Sequence, residues 1–402
     1  MAIKPYLTSN SLIEAVKRKM AFPLSQQTFS NDDILAFANE EMFLAQVPSI
    51  LQYHEEYLVF LEEQTLIGSV SKYPIPSRAI GMKLRDLFYK DTQGQLVEMN
   101  KINPDDRSFF LTDSNSSPTP IHYYVENNSI IIVPDVNPHP HGSLIFSFYL
   151  RPNSLVTDDK AAICTSFFRT VTLDNTALVA GDLITVGNMI LTAGTEFAIG
   201  ATSALTAINL NNYINSMGHE HYSTVYSNIV SMSYYDRSYQ FSTTNSTAIS
   251  IQSSITLNFS SIPSEIVNGS LVDFLQTESG HTTYDYDIKL PNNSISTNSI
   301  TLPESSVPSG FSVGDYICLQ YQCIIPQVPT DLHTLLAERT CARILEALGD
   351  ADGLKAANEK ISRLELSQAT VLDDRVEGSP QKVFNRHSLL RYGKSRFGRR
   401  GR

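Results

Sequence analysis

Side chains able to do chemistry are few in this chain, and none falls into a catalytic spacing. Two His-x-His pairs, His139 with His141 and His219 with His221, would face one way on an extended backbone and could hold a metal. The first sits in Pro-His-Pro-His-Gly, a loop composition, and no metal site is assigned to either. Asp285 and Asp287, in Tyr-Asp-Tyr-Asp, alternate onto one strand face, but two carboxylates alone do not define a glycosidase pair. Asp105, Asp106 and Arg107 follow Asn103-Pro104 and read as a solvated turn. Gly393-Lys394-Ser395 lacks the upstream glycine of a phosphate loop, and neither Gly-x-Ser-x-Gly nor His-Glu-x-x-His occurs. Cys164, Cys318, Cys323 and Cys341 match no zinc spacing and read as buried free thiols of a reducing compartment. The expectation is a protein with no catalytic residue, no metal and no cofactor.

The elements that would position any such residue are read from periodicity. At 402 residues the chain is long enough for two or three domains. No apolar run of membrane-spanning length and no secretory leader pattern is present. Ser11 with Glu14 reads as a capping box for a helix carrying Leu12, Ile13, Val16 and Met20. Ser30 or Asn31 caps a second helix with Ile34, Leu35, Phe37, Ala38, Met42 and Ala45 inward, and Pro48 is expected to interrupt before a third. Residues 65–152 read as strands. Hairpins are predicted for 82–89 with 96–99 and for 121–125 with 130–133 across Asn127-Asn128.

From Ala161 to Ile325 only Arg169, Arg237 and Lys289 oppose twelve acids, in a background of Ser, Thr, Asn, Ile and Val. This composition predicts a separate β-rich domain, with one helix over Ala204–Asn215. After Pro326, Leu332, Leu335, Leu336, Ala342 and Leu345 recur at helical spacing up to Gly349. Leu354, Ala357, Ile361 and Leu364 mark another helix. The fold class expected is α+β, a helical body with a small antiparallel sheet, interrupted by an inserted β-rich domain and ending in an extended basic arm. The boundaries read as 1–155 and 326–378 for the body, 156–325 for the insert and 379–402 for the arm.

That last stretch holds Lys382, Arg386, Arg391, Lys394, Arg396, Arg399, Arg400 and Arg402 and no acid, with Tyr392 and Phe397 among them. It carries +8 of a chain whose net charge is −11, so the remainder carries −19. Such a segment is either a solvated terminus or an arm that orders against phosphate or an acidic protein surface.

Two stretches together carry a family resemblance. One is Phe29-Ser-Asn-Asp-Asp-Ile-Leu-Ala-Phe-Ala-Asn-Glu-Glu41 with Tyr73-Pro-Ile-Pro-Ser-Arg-Ala-Ile-Gly81 and Leu84-Arg-Asp-Leu87. The other is Pro329-Thr-Asp-Leu-His-Thr-Leu-Leu-Ala-Glu338 running on to Ile344-Leu-Glu-Ala-Leu-Gly-Asp350. In pattern this resembles the head-to-tail adaptors (connectors) of tailed bacteriophages, over about the first 155 and last 75 residues. Ala180-Gly-Asp-Leu-Ile-Thr-Val-Gly-Asn-Met-Ile-Leu-Thr-Ala193, echoed by Gly314-Asp-Tyr-Ile317, resembles a small β module of phage structural proteins.

The resemblance implies a virion protein of the neck, assembled in the host cytoplasm as a homo-oligomeric ring, a dodecamer. Its partners would be the portal protein, tail or nozzle proteins and its own copies, with non-specific contact to packaged DNA and none to membrane. The arm would face the portal or the DNA through Lys382, Arg386, Arg391, Tyr392, Lys394, Arg396, Phe397, Arg399, Arg400 and Arg402. The alternative is a tail-fibre or baseplate component whose β domain binds a host receptor.

Overall fold

The computed structural model describes residues 7–21, 28–53, 55–67, 70–106, 122–133, 142–187, 189–217, 222–234, 241–278 and 282–372. Helices α1 (Ser9–Lys19), α2 (Asn31–Glu41) and α3 (Val47–Tyr53) open the fold, α4 (Ser203–Ser216) lies mid-chain, and α5 (His333–Leu348) and α6 (Ala351–Leu372) close the described part. The first and last described segments of the chain meet in one layer. Leu12, Val16, Ile34 and Ala38 from α1 and α2 share a core with Leu336, Cys341 and Ile344 of α5. The predicted stripe of Leu354, Ala357, Ile361 and Leu364 seats α6 on Leu335 and Ala342.

Two buried carboxylates clamp this layer. Glu338 of α5 accepts from Lys19 of α1 and Lys360 of α6. Glu41 of α2 accepts from Arg343 at 2.5 Å and Arg339 at 3.2 Å, and Arg339 also reaches Glu365 of α6 at 2.5 Å. Burial pushes the Glu338 carboxyl up, but the hydrogen bonds from its two lysines outweigh it and leave it below the ordinary carboxylate value.

Local signals account for most helix ends. Ser30 caps α2 reciprocally with Asp33. Gly349 ends α5 in the left-handed region at φ +73°. The cap of α1 differs from the expected Ser11–Glu14 pair: Thr8 accepts the Ser11 N–H and the helix starts at Ser9. Pro48 does not break the chain either. A π-helical turn over Met42–Gln46, closed by the Val47 N–H on Met42 O, leads straight into α3 with Pro48 in its first turn.

The strands before the mid-chain part are β1 (Val59–Thr65), β2 (Lys72–Pro74), β3 (Ala79–Asp91), β4 (Leu96–Glu98), β5 (Asn100–Lys101), β6 (His122–Glu126), β7 (Ser129–Val133), β8 (Gly142–Leu150) and β9 (Ser154–Leu155). The first eight form two four-stranded sheets, ordered β1-β8-β3-β4 and β2-β7-β6-β5, and β9 lies outside both. The sheets share a core of Tyr73, Ile75, Leu87, Tyr123, Ile130, Leu144, Phe146 and Phe148. Asn127 and Asn128, at φ +47° and +56°, make the two-residue turn between β6 and β7.

The mid-chain part holds β10 (Ala162–Leu173), β11 (Leu183–Val186), β12 (Met189–Thr192), β13 (Tyr222–Tyr226), β14 (Ile229–Tyr234), β15 (Phe241–Thr243), β16 (Ile249–Ile251), β17 (Ser254–Phe259), β18 (Leu271–Leu275), β19 (Thr283–Lys289), β20 (Ser299–Pro303) and β21 (Tyr316–Leu319); β22 (Gln322–Cys323) follows. A nine-stranded sheet built on β10 carries two cores. One is centred on Phe167, Phe274 and Phe311, and the other lies beneath α4 and the three-stranded sheet β12-β11-β15. Entry and exit lie side by side: the Ser154 N–H donates to Tyr321 O and the Val156 N–H to Cys323 O, both at 2.9 Å.

These sheets correct the expected fold class. Among the described residues strand occupies 38% against 31% helix, and residues 59–150 form two sheets rather than one small one. The difference has a physical origin. Hairpin turns are local and legible, whereas β1 pairs with β8 across six intervening strands, and nothing local in either strand announces a partner so distant. The basic arm, 379–402, lies outside the described residues.

Candidate functional site

The site best defined by geometry lies where the two sheets of residues 59–150 meet β18 and β19. Arg78 sits just before β3, in a proline-flanked turn in which the Ala79 N–H donates to Pro76 O. Its side chain is 1% exposed, which demands full neutralisation. Nη1 donates to Asn153 Oδ1 at 2.9 Å. Nη2 donates to Asp273 Oδ1 at 2.9 Å and to Asp287 Oδ1 at 2.5 Å. The guanidinium stacks 3.7 Å from the Tyr321 ring centre and lies 5.1 Å from that of Tyr286.

Asp273, on β18, is 0% exposed and gathers the rest. Asn153 Nδ2 donates to it at 2.8 Å, the Asp287 N–H at 3.0 Å and the Tyr321 N–H at 3.1 Å. Burial holds its carboxyl above the ordinary value, against the pull of Arg78 and these donors. The chain thereby ties five separate stretches (the turn at 78, the crossovers at 153 and 321, and both β18 and β19) through one buried cation. Both Nη atoms are committed and Nε is buried without a partner among the described residues, so this hub fastens parts of the chain together.

Beside the hub runs an open groove of about 740 Å³, lined by Phe60–Gln64 of β1, Pro74–Ser77 and Tyr284–Asp287 of β19. Tyr286 Oη donates to Glu62 across it, and the Phe60 and Tyr286 rings meet at 5.4 Å. Asp285 accepts the Tyr286 N–H at 2.8 Å; burial, aided by the nearby Glu62 charge, raises its carboxyl. Burial and Glu62 likewise raise the Tyr286 hydroxyl. Asp285 and Asp287 therefore do not act as the simple alternating pair their spacing suggests. Asp287 takes φ +57° and turns to Arg78, where the β18–β19 register shifts.

Among the described residues no group of three or more His, Cys, Asp or Glu could hold a metal ion, and no helix is long and apolar enough to cross a membrane. All four cysteines are buried and free. Burial pushes the Cys164 and Cys341 thiols up to about 12 and those of Cys318 and Cys323 higher still. Asp105 and Asp106 form an exposed 3-10 turn.

Both His-x-His pairs, Arg107 and Gly393-Lys394-Ser395 lie outside the described residues. So do all ten arm residues: Lys382, Arg386, Arg391, Tyr392, Lys394, Arg396, Phe397, Arg399, Arg400 and Arg402. Sequence reasoning missed the Arg78 hub, though a signal was present. Asp273 interrupts the apolar run Leu271-Val-Asp-Phe-Leu275, and an acid at the centre of a buried strand requires a buried partner. No protein-family model matches the chain, and no curated protein matches it.

Proposed function

We propose that the chain is a structural virion protein, the head-to-tail adaptor of a tailed bacteriophage. It forms a ring between portal and tail and surrounds the DNA channel. The observation that carries this reading is the convergence of the first and last described helices into one clamped layer, with the +8, acid-free segment 379–402 further along the chain. A ring needs a rigid subunit, a heterologous contact that closes by rotation, and a reaching segment that fixes the ring to its neighbour. The Glu338 and Glu41 clamps suit the first requirement, and the basic segment suits the last, docking on an acidic portal surface or on phosphate. The remainder, at −19, lets DNA pass without sticking where it lines the channel. Native mass spectrometry and negative-stain microscopy of the purified chain test the reading. Closed rings support it, and a chain that stays monomeric with portal protein present overturns it.

The preponderance of strand favours one rival, a tail-fibre or baseplate component whose β part meets a host receptor. Tyr226, 84% exposed at the end of β13, is the kind of aromatic such a surface presents. Binding of the purified chain to host cells, abolished by Tyr226→Ala, would favour the rival over the adaptor.

A further inference from the structure

β1 is the outer strand of its sheet, and among the described residues only β8 pairs with it. Its hydrogen-bond phase is fixed by the Leu66 N–H donating to Gly142 O at 3.0 Å, in line with the register Thr65↔Ser143. In an antiparallel pair this alternation sends the backbone of even-numbered β1 residues to β8. The N–H and C=O groups of Leu61, Glu63 and Thr65 then point to the open side. Proteins ordinarily blunt such an edge by shortening, bulging, charging or covering it, and of these, among the described residues, β1 has only its acids, Glu62 and the Lys90-paired Glu63. Here it runs seven residues, its Leu61 side chain is 61% exposed, and it forms one wall of the groove beside β19.

We propose that this edge takes an extended basic strand, and that the occupant is the segment 379–402 of a second copy of the chain. Charge complementarity points to that occupant. Glu62 and Asp285 face the groove, and among the described residues neither pairs with a cation, whereas the segment carries +8 and no acid. An extended strand satisfies the open backbone groups of β1, its lysines and arginines meet Glu62 and Asp285, and Tyr392 or Phe397 covers Leu61.

The source is a neighbour for two reasons. Thirty residues follow Leu372, an extended reach of about 100 Å that crosses to an adjacent copy, whose radius of gyration is about 21 Å. Two acidic remainders also repel each other, and a basic segment crossing between them removes that repulsion. This rests on the ring reading for its geometry and revises one part of it, since the segment then joins adjacent copies instead of docking on the portal.

Proline separates this proposal from simple charge attraction. Leu61→Pro removes an outward N–H and leaves the β1–β8 ladder intact, because position 61 donates nothing to β8. Leu61→Ala trims the same side chain and keeps the donor. In sedimentation velocity on the full-length chain, Leu61→Pro is expected to weaken self-association at least tenfold and Leu61→Ala much less, both with unchanged circular dichroism. Full-length chain bearing Arg391→Glu, Lys394→Glu and Arg396→Glu keeps the edge and loses the strand. Mixed with the Leu61→Pro chain, it should form heterodimers although neither self-associates.

Equal association by the proline and alanine variants overturns the edge. Absence of heterodimers overturns the neighbour as source, and would place the segment on its own subunit. Rings that persist in every variant refute this inference and leave the adaptor reading standing. Arm-dependent pairs that never close into rings do the reverse.

Discussion

Arg78→Leu probes the fastening between the sheets and the mid-chain part most severely. The substitution deletes the donors to Asn153, Asp273 and Asp287 and the stack on Tyr321. It leaves Asp273 fully buried with neutral donors only. Removing one partner of such a pair costs about 3–5 kcal/mol, a large part of the roughly 5–15 kcal/mol typical of a folded domain.

The loss also depends on pH, and its sign follows from Asp273. A carboxyl whose folded-state pKa is raised contributes stability that is fully present below its unfolded value and is lost as pH rises through the folded one. Burial already raises Asp273 while Arg78 pulls it down, so removing the arginine raises it further. The deficit of the variant should therefore widen from about pH 4 to about pH 7, by about 1.4 kcal/mol for each unit of extra shift. Urea denaturation followed by far-ultraviolet circular dichroism suits a chain without tryptophan. Arg78→Lys, which keeps the charge but not the forked geometry, should fall between wild type and leucine. A deficit below about 1 kcal/mol for a group this buried, or one that is flat between pH 4 and pH 7, would refute the reasoning.

Two further outcomes follow from the helical layer and the thiols. Glu338→Gln should destabilise the fold by about 1–3 kcal/mol at neutral pH. Because the Glu338 carboxyl is depressed, its contribution is present above the unfolded value and lost as pH falls through the folded one, so wild type and variant should converge in acid. Cys164, Cys318, Cys323 and Cys341, all buried with raised pKa values, should resist iodoacetamide at pH 8 in the native state. All four should react in urea, read as mass added.

The helical layer was largely legible because its determinants are local. The stripe through Leu354 and Ile361, the Ser30 cap and the Gly349 stop are spacings or single residues that fix geometry within a few positions. So were the β6–β7 turn and the Ala204–Asn215 helix, which the structure extends by one residue at each end. The two-sheet body was not legible. The β3–β4 hairpin reads from its turn, but β2 with β7 and β1 with β8 are chosen by packing between distant segments. The π-turn that lets Pro48 sit inside a helix is likewise invisible, since no residue of Met42–Gln46 demands it. The hub was half visible. Asp273 stands out in an apolar strand, but its cation lies far away in sequence, in a turn whose prolines suggest only a bend.

The adaptor claim is tested most directly by locating the chain in a particle. If the adaptor proposal holds, gold-labelled antibody against residues 162–319, applied to intact particles that carry the chain and viewed in negative stain, labels the junction of head and tail. Label at the tail tip or fibres would contradict the adaptor and assign the protein to receptor binding.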